Sequence, residues 1–271
     1  MAKVYLSPAY HYWNACAIPG CDETTHNNLY IDELEVYLTA CGIEWKRGPR
    51  RVPKSNEDGN ELMFQAVRES DAWGADVHYI SHTNAFDGTV RGYRPMIWPG
   101  SERGQRLAAA IMAERAKIYD GPVRLVERDD LYELRVPAAA SYYEEHVFHD
   151  NVEDAEWFHA NLRAVAESAA RGLCTYFGLP FVDPYAEAEE QNKAAGVTIH
   201  LPMIGNGDYG DAARAAMVLL VDLGYYEDKL SDTDKLFGPK ADAATRAFQR
   251  DHGLAVDGIV GEETWPALIG E

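Results

Sequence analysis

The chain has 271 residues, of which 46% are hydrophobic and 25% are charged, and this is enough for one large or two modest domains. Its formal net charge is −19, and the N-terminal and C-terminal parts are both acidic. This charge argues against nucleic acid and anionic membrane surfaces as partners, because both attract basic patches. No apolar stretch is long enough to span a bilayer, so we expect no membrane insertion.

The N-terminus resembles the start of a folded domain. Its first ten residues, MAKVYLSPAY, lack the positive segment and the long apolar core of a secretory signal. We therefore expect the protein to be made in the cytoplasm without a signal peptide. The sequence leaves its oligomeric state open.

Strands and helices alternate in the first two thirds of the chain. The apolar run KVYLSP predicts a strand, and the next segment places Leu34 and Leu38 at helical spacing. VHYIS and SYYEEHV predict two further strands, and helical segments lie between the predicted strands. The last of these helices is predicted as one continuous element over 154–178. The alternation predicts an α/β fold with a mostly parallel sheet flanked by helices.

The composition changes after Val182. Residues 183–196, DPYAEAEEQNKAAG, are small, polar and acidic and have no apolar period, which predicts a linker. Residues 197–271 contain three short helical runs separated by turn signals, which predict a small all-α three-helix domain. The predicted organisation is an α/β domain over 1–182, a linker over 183–196 and the helical domain over 197–271.

Metal-capable side chains stand where predicted strands end or a helix begins. His11 follows the first strand, Glu23 opens the first helix, His82 lies just beyond the buried strand, and Glu145 stands near the end of its own strand. In open α/β sheets, ligands bind beyond the carboxyl ends of the strands. Two imidazoles and one carboxylate are a common zinc set, and a further carboxylate can act as general base and acid.

Each of these residues also has a structural explanation. A single histidine is most often a surface or hydrogen-bonded residue, and Glu23 could be a first-turn acid favoured by the helix dipole. His26 competes with His11 as a ligand, because Glu23 and His26 are three residues apart and share a helix face. From the spacing alone, both the zinc reading and the structural reading stay open.

The four cysteines fall into two groups. Cys41 and Cys174 occupy apolar positions near helix ends and are predicted to be buried thiols. Cys16 and Cys21 flank a loop between the first two metal-capable residues. They could bind metal, bridge each other or remain as reduced thiols.

Four motifs in order resemble the zinc-dependent N-acetylmuramoyl-L-alanine amidases of the type 3 family, which cut bacterial cell walls. The resemblance implies that Glu23 and His82 are zinc ligands. It also implies that Glu145 is the catalytic carboxylate, because Phe148 and Asn151 follow it by three and six residues. The motifs span residues 3 to about 178 and read VYLSP, DETTHNN, GADVHYISHTNAFDGTVRGY and LYELRVPAAASYYEEHVFHDN.

The chain departs from this family after the first strand, where Gly-His-Gly is common and PAYHYWN stands here. The resemblance implies one Zn²⁺ per catalytic domain, held by His11 with the two ligands already named, and a low pKa for Glu145 beside that cation. Asn84, beside His82 in its motif, would hold the loop or touch substrate. Strand alternation puts Glu144 on the opposite face from Glu145, as a structural or solvated residue.

The segment from Gly207 to Leu268 resembles the peptidoglycan-binding three-helix module. Phe248, Leu254 and Trp265 are expected to form its small core. The resemblance implies bacterial peptidoglycan as the partner, and it does not locate the sugar contacts.

Together the two resemblances imply a peptidoglycan hydrolase that cleaves the amide between N-acetylmuramic acid and L-alanine of the stem peptide. A catalytic domain followed by a binding domain, with no export signal, is typical of a phage endolysin that reaches the wall after membrane opening. A host enzyme exported by an unusual route is the rival. A zinc peptidase cutting within the stem peptide and a non-catalytic cell-wall-binding protein are the alternative functions.

Overall fold

The structure is a computed structural model, and the chain divides into two compact units. One unit is formed mainly by residues before 187 and the other mainly by residues after 200. Among the described helices, none combines the length and the apolar character that a bilayer crossing requires. The residues that the structure describes are 1–18, 21–49, 53–186, 201–227, 229–231 and 234–270.

Most of the predicted linker, 187–196, lies outside the described residues. Its first four residues are described, and among them Tyr185 packs into the core of the first unit. The Tyr185 hydroxyl donates a hydrogen bond to the Glu33 carboxylate over 2.9 Å. The ordered packing of the first unit therefore continues past the predicted boundary at residue 182.

The described part of the first unit contains six strands and six helices, numbered here in chain order. The strands are β1 (Lys3–Pro8), β2 (Glu44–Arg47), β3 (Val77–Asn84), β4 (Arg94–Ile97), β5 (Val126–Glu127) and β6 (Ala140–Phe148). The helices are α1 (Glu23–Ala40), α2 (Asn56–Trp73), α3 (Glu102–Arg115), α4 (Tyr132–Arg135), α5 (Val152–Ala160) and α6 (Leu162–Phe177).

The strands form one sheet in the order β2-β1-β3-β6-β4-β5. Strands β2, β1, β3 and β6 are parallel, β4 is antiparallel to β6, and β5 is parallel to β4. The predicted α/β class with a mostly parallel, helix-flanked sheet is confirmed. Because β1, β3 and β6 are neighbours and parallel, their carboxyl ends lie together at one edge of the sheet.

Alternate residues of the central strands face two different layers. Tyr79 and Tyr142 pack in the large core beneath α1, α3 and α6. Ile80 and Tyr143 point to the other side and pack with Leu134 of α4. Successive strand residues alternate between faces, so His82 and Glu145, two positions after Ile80 and Tyr143, also lie on the α4 side of the sheet.

Local sequence explains where two of the helices begin and end. Asp22 has an extended backbone, and its carboxylate accepts a hydrogen bond from the Thr25 N–H over 2.9 Å. This is an N-cap, so Glu23 becomes the first residue of α1. Helix α2 ends at Gly74, whose φ of +69° is left-handed and favours glycine.

The predicted helix over 154–178 is in fact two helices, α5 and α6, which makes that prediction wrong in detail. Asn161 separates them with a non-helical backbone (φ −122°, ψ 18°). Its side-chain amide donates to the Trp157 carbonyl over 2.7 Å, so it competes with the backbone for a helical hydrogen-bond partner. The apolar period continues through the break, and periodicity therefore did not indicate it.

The second unit contains three described helices: α7 (Asp211–Asp222), α8 (Pro239–Asp251) and α9 (Thr264–Ile269). Phe248 and Trp265 are buried in its core, and Leu254 packs against them while partly buried. The Gln249 amide ties α8 to the segment that follows it by donating to the Asp257 carboxylate over 2.7 Å and to the Ile259 carbonyl over 2.9 Å. The predicted all-α domain and its small core are confirmed.

Candidate metal centre and active site

Three side chains from three elements meet at the carboxyl ends of the central strands. His11 follows β1, Glu23 is the first residue of α1, and His82 lies in β3. His82 Nδ1 lies 2.8 Å from Glu23 Oε1, and His11 Nδ1 lies 3.3 Å from Glu23 Oε2. One potential ligand atom from each residue falls within 4.8 Å of the other two. The structure thus brings together the three residues that were predicted as metal ligands.

Neighbouring groups fix the orientation of the Glu23 carboxylate. Asn14 Nδ2 donates to Glu23 Oε2 over 2.7 Å, and the Thr83 N–H donates to Glu23 Oε1 over 3.2 Å. Glu23 is almost completely buried, and its position in the first turn is set by the Asp22 cap. Contacts of this kind hold ligand side chains in the orientation that metal binding needs.

The electrostatics of the cluster favour an ionised Glu23. Burial alone would raise the pKa of Glu23, but hydrogen bonds with His11 and His82 outweigh burial and hold that pKa well below its usual range. Burial lowers the pKa of His11, while its hydrogen bond to Glu23 raises it, and the net direction is upward. The cluster therefore presents one carboxylate anion between two imidazoles.

Glu145 lies beside this cluster. It is the register partner of His82 on the neighbouring parallel strand, so both side chains project from the same face of the sheet. Glu145 Oε2 is buried and has no hydrogen-bond partner in the part of the chain that the structure describes. A buried carboxylate oxygen without a partner is costly, and it is what a site built for a further ligand would contain.

Burial raises the pKa of the Glu145 carboxyl well above its usual range, and the nearby Glu23 carboxylate raises it further. This direction is opposite to the low pKa expected from the sequence. That expectation assumed a neighbouring metal cation, whereas in the protein alone burial and the Glu23 carboxylate outweigh the opposing effect of Arg128. A divalent cation at the three ligands would act against both of these effects.

Glu144 is on the opposite face and is fully buried, which confirms the structural alternative and excludes the solvated one. The hydroxyls of Tyr79 and Tyr93 donate hydrogen bonds to its carboxylate. Arg115 Nη2 lies 3.6 Å from Glu144 Oε1. Burial raises the pKa of Glu144 well above its usual range, with a smaller opposing effect from Tyr30.

His26 points away from the cluster formed by His11, Glu23 and His82. Its Nδ1 lies 3.4 Å from Cys16 Sγ, and its Nε2 lies 2.9 Å from His159 Nδ1. Burial lowers the pKa of His26 well below its usual range, so the ring is neutral at pH 7. The geometry therefore favours His11 over His26 as the partner of Glu23.

None of the four cysteines forms a disulfide. Cys41 and Cys174 are buried thiols, as predicted, and burial raises the pKa of Cys174 to about 12. Cys16 and Cys21 are not bridged to each other. Together with His26 they form a second group of potential ligand atoms within 4.8 Å of one another.

Asn84 is at the end of β3 and shapes the turn that follows. Its side-chain oxygen accepts a hydrogen bond from the Ala85 N–H over 2.8 Å. Its backbone carbonyl accepts one from the His149 N–H over 2.8 Å. These contacts agree with the loop-holding alternative for Asn84.

A cavity of about 440 Å³ opens at the cluster, and its wall includes His11 and His82. This volume is within the usual range for small-ligand pockets. Glu133 of α4 also lines the cavity; it stands inside the motif that begins LYELRV, but no metal or catalytic role was predicted for it. The available signal was a pair of polar residues, Ser7 and His78, on the face of neighbouring strands that Glu133 covers.

Comparison with known sequences identifies the C-terminal part of the chain. Residues 209–268 match a family model described as "Putative peptidoglycan binding domain". An uncharacterized protein in the bpoA1 3′ region of Kitasatospora aureofaciens is 34% identical over 107 residues, which are 39% of this chain and 89% of that protein. The N-acetylmuramoyl-L-alanine amidase CwlM of Mycobacterium tuberculosis is 46% identical over 59 residues, which are 20% of this chain and only 14% of CwlM.

Comparison with solved structures covers about two thirds of the chain. The catalytic domain of CwlV, an N-acetylmuramoyl-L-alanine amidase from Bacillus (Paenibacillus) polymyxa var. colistinus, gives a TM-score of 0.58 at 13% identity over 66% of this chain and 100% of that domain. The catalytic domain of the CD27L endolysin, which targets Clostridia difficile, gives a TM-score of 0.56 at 18% identity, and the match covers 65% of this chain and 98% of that domain. At such identities the likeness shows the fold. The chain belongs to one family with the Kitasatospora aureofaciens protein, and it joins the fold of N-acetylmuramoyl-L-alanine amidase catalytic domains to a domain of the matched peptidoglycan-binding family.

Proposed function

We propose that this protein is a zinc-dependent N-acetylmuramoyl-L-alanine amidase that cleaves the amide between N-acetylmuramic acid and L-alanine in peptidoglycan. The observation that carries the proposal is the convergence of His11, Glu23 and His82 beside a buried, unpartnered oxygen of Glu145. The fold shared with amidase catalytic domains supports the bond class. The matched peptidoglycan-binding family supports the polymer.

The residues present fit zinc. Catalytic zinc sites use three protein ligands, commonly imidazole nitrogens and a carboxylate oxygen, and keep one position for water or substrate. His11, Glu23 and His82 supply this set, and the lowered pKa of Glu23 keeps its carboxylate ready to bind a cation at neutral pH. Asn14 and Thr83 hold the Glu23 oxygens and so limit rearrangement when the ion binds.

When bound, Zn²⁺ would supply Lewis acidity, polarising the scissile carbonyl and making water more acidic. The Glu145 carboxylate would take a proton from the water that attacks the carbonyl carbon. As the C–N bond breaks, Glu145 would pass that proton to the nitrogen of the leaving L-alanine. The products are the lactyl carboxylate of the sugar and a stem peptide with a free amino terminus.

The raised pKa of Glu145 in the protein alone suits the second half of this cycle. A carboxyl group in apolar surroundings holds a proton more strongly, and a bound cation opposes this effect. Burial and a bound cation would thus act on the pKa of Glu145 in opposite directions, the first favouring the protonated form and the second the carboxylate.

The second unit is proposed to bind peptidoglycan and keep the catalytic unit on an insoluble polymer. Linking two weak sites raises the effective concentration of the second after the first has bound. Wall binding, and with it the rate of the reaction on insoluble walls, would then depend on intact folding of the small helical domain, whereas the reaction on a soluble substrate would not.

We further propose that the protein acts as an endolysin, made in the cytoplasm and reaching the wall once the membrane is opened. The catalytic-domain fold shared with the CD27L endolysin and the order of the two domains support this role. Expression inside a susceptible bacterium tests it. We expect lysis only when a membrane-perforating agent is added, and lysis without that agent would favour the exported host enzyme.

The cleaved bond is tested by mass spectrometry of walls digested with the purified protein. New N-terminal L-alanine on released stem peptides is the expected result. New amino termini at other stem residues would instead indicate a zinc peptidase. Binding to walls without any released fragment would indicate a non-catalytic wall-binding protein.

A further inference from the structure

Glu133 is a carboxylate in the wall of the cavity that the proposed mechanism does not use. It lies on the short helix α4, which covers the sheet face bearing His82 and Glu145. Glu133 is only 5% exposed, yet it lines the cavity together with His11 and His82. A carboxylate in such a place requires an explanation, because burying an ionised group is costly unless it is paired.

Two fully buried side chains hold one oxygen of this carboxylate. Ser7 Oγ donates to Glu133 Oε1 over 2.6 Å, and His78 Nε2 lies 3.0 Å from the same oxygen. Ser7 lies in β1 and His78 in β3, so the carboxylate is anchored from the rigid floor of the sheet. Stacking of the Tyr5 ring on His78, with centroids 5.6 Å apart, fixes the imidazole in turn.

The second oxygen, Oε2, receives no hydrogen bond from the residues that the structure describes. Glu145 Oε2 is an enclosed oxygen that has no partner, whereas Glu133 Oε2 is not enclosed. Because Glu133 lines the cavity, its Oε2 is open to a ligand there. No lysine or arginine of the described chain lies within 4.0 Å of Glu133, and its only ion-pair contact is the His78 ring. The site therefore offers an anchored carboxylate oxygen that a cationic or N–H-donating ligand would satisfy.

We propose that Glu133 is a specificity-determining residue that binds the free side-chain amine of a diamino acid in the stem peptide. Peptidoglycan stem peptides contain such a residue, and its amine is cationic wherever it is not cross-linked. The proposal rests on the amidase function and adds the preferred substrate, a stem peptide with an uncapped amine. The acidity of the whole chain, with net charge −19, also favours a cationic over an anionic substrate group.

Two soluble muramoyl tripeptides test the proposal, one with lysine at the third position and one with norleucine, which keeps the carbon chain and lacks the amine. We expect kcat/KM of the wild type to be about 10- to 100-fold higher for the lysine peptide, through KM, as for a charge-assisted hydrogen bond. Equal kcat/KM for the two peptides would overturn the proposal without touching the amidase assignment. This comparison needs no variant.

The variant Glu133→Gln then locates the preference. Glutamine keeps an oxygen for Ser7 and His78 but loses the charge, so we expect the ratio of kcat/KM between the lysine and norleucine peptides to fall to about one. Asp130→Asn is the matched control, because Asp130 is an exposed carboxylate just before α4 that pairs with Arg128, and it should leave the preference intact. A Glu133→Gln protein that retains the preference contradicts the proposal.

Two further readouts separate other roles of Glu133. If Glu133→Gln binds less zinc or loses kcat on both peptides equally, the residue serves the metal site and the proposal is wrong. If the wild type cleaves neither peptide, the amidase assignment fails, and calorimetric binding of the two peptides decides the inference on its own. Tighter binding of the lysine peptide, lost in Glu133→Gln, would support it, and equal binding would overturn it.

Discussion

His82 and Glu145 are register partners on neighbouring parallel strands, so the imidazole proposed as a zinc ligand and the carboxylate proposed as the base project side by side. The pairing places Glu145 by backbone geometry and not by any side-chain hydrogen bond to its Oε2 among the described residues. This oxygen is buried, and because no described residue hydrogen-bonds to it, its capacity to accept a proton is kept for the role proposed above.

We expect Glu145→Gln to lower kcat on a soluble muramoyl peptide by about 10²- to 10⁴-fold, the usual contribution of a positioned general acid–base. The amide has the same size and cannot accept and return a proton. Zinc content should be unchanged, because Glu145 is not one of the three proposed ligands. Wall clearing at the wild-type rate by Glu145→Gln would remove this residue from the mechanism.

The neighbouring carboxylate supplies a matched control. Glu144→Gln removes a buried group that accepts hydrogen bonds from Tyr79 and Tyr93 and lies 3.6 Å from Arg115. We expect this variant to change the thermal midpoint of unfolding and to keep kcat at temperatures where it is folded. A loss of kcat as large as that of Glu145→Gln, in folded protein, would contradict the division of roles between the two faces.

Metal dependence is tested by dialysis against a strong chelator followed by readdition of zinc. We expect the wild type to lose and then regain activity, and Glu23→Gln to bind zinc much more weakly because its ligand charge is gone. His26→Ala is the comparison, since His26 contacts Cys16 and His159 and not Glu23. Full activity with no metal detected by elemental analysis would contradict the zinc proposal.

The buried His146 predicts a specific pH dependence of stability. Burial lowers the pKa of His146 well below the ordinary histidine value of 6.5, and Arg115 lowers it further. The folded ring is therefore neutral, while the unfolded ring gains a proton as pH falls through 6.5. The stability that His146 contributes is therefore fully present above pH 6.5 and is lost below it. Its neighbours also include Ser81, 2.9 Å from Nε2, the Glu144 carboxylate, 3.5 Å from Nδ1, and the ring of Tyr30.

The measurement is the difference in free energy of unfolding between the wild type and His146→Gln. Titratable groups far from residue 146 are shared by both proteins and cancel in this difference. Below pH 6.5, we expect the free energy of unfolding of the wild type to fall relative to that of His146→Gln by up to about 1.4 kcal/mol per pH unit. A difference that is flat from pH 7.5 to 5 would show that His146 is not held neutral.

We expect the second unit to be needed for wall binding and not for cleavage of a soluble substrate. Phe248 is completely buried in its core, and Phe248→Ala is expected to destabilise this domain by about 3–5 kcal/mol. We expect weaker sedimentation with purified walls and an unchanged kcat on a soluble muramoyl peptide. Leu223→Ala, at a position that is 47% exposed, is the control and should keep wall binding. Unchanged sedimentation of unfolded Phe248→Ala would place wall binding elsewhere.

The sequence predicted the elements that periodicity governs and the residues that follow strand ends. β1, β3 and β6 were found because buried parallel strands appear as short apolar runs. The carboxyl ends of neighbouring parallel strands meet at one edge of the sheet, and this rule predicted that His11, Glu23 and His82 lie close together. The break at Asn161 was missed because one side chain overrides a continuous apolar period.

Glu133 was missed for a different reason. Its partners Ser7 and His78 are distant in sequence, and only the alternation of β1 and β3, with α4 laid across them, makes the three meet. A lone acid in a four-residue helix carries no pattern of its own. Similarly, the pKa of Glu145 depends on how completely the fold excludes water around it, which sequence spacing does not specify.

The two adjacent carboxylates of β6 also restrict what length changes this strand can tolerate. Glu145 stands in the catalytic face, and Glu144 stands among tyrosine hydroxyls and Arg115 on the other face. Sliding the strand by one residue would exchange these two environments. A one-residue insertion between Ala140 and Glu144 would bring Glu144 to the position of Glu145 and take the carboxylate away from the tyrosine hydroxyls. A one-residue deletion there would bring Glu145 among those hydroxyls and leave His146 at the position of the proposed base, so neither change keeps both carboxylates in place.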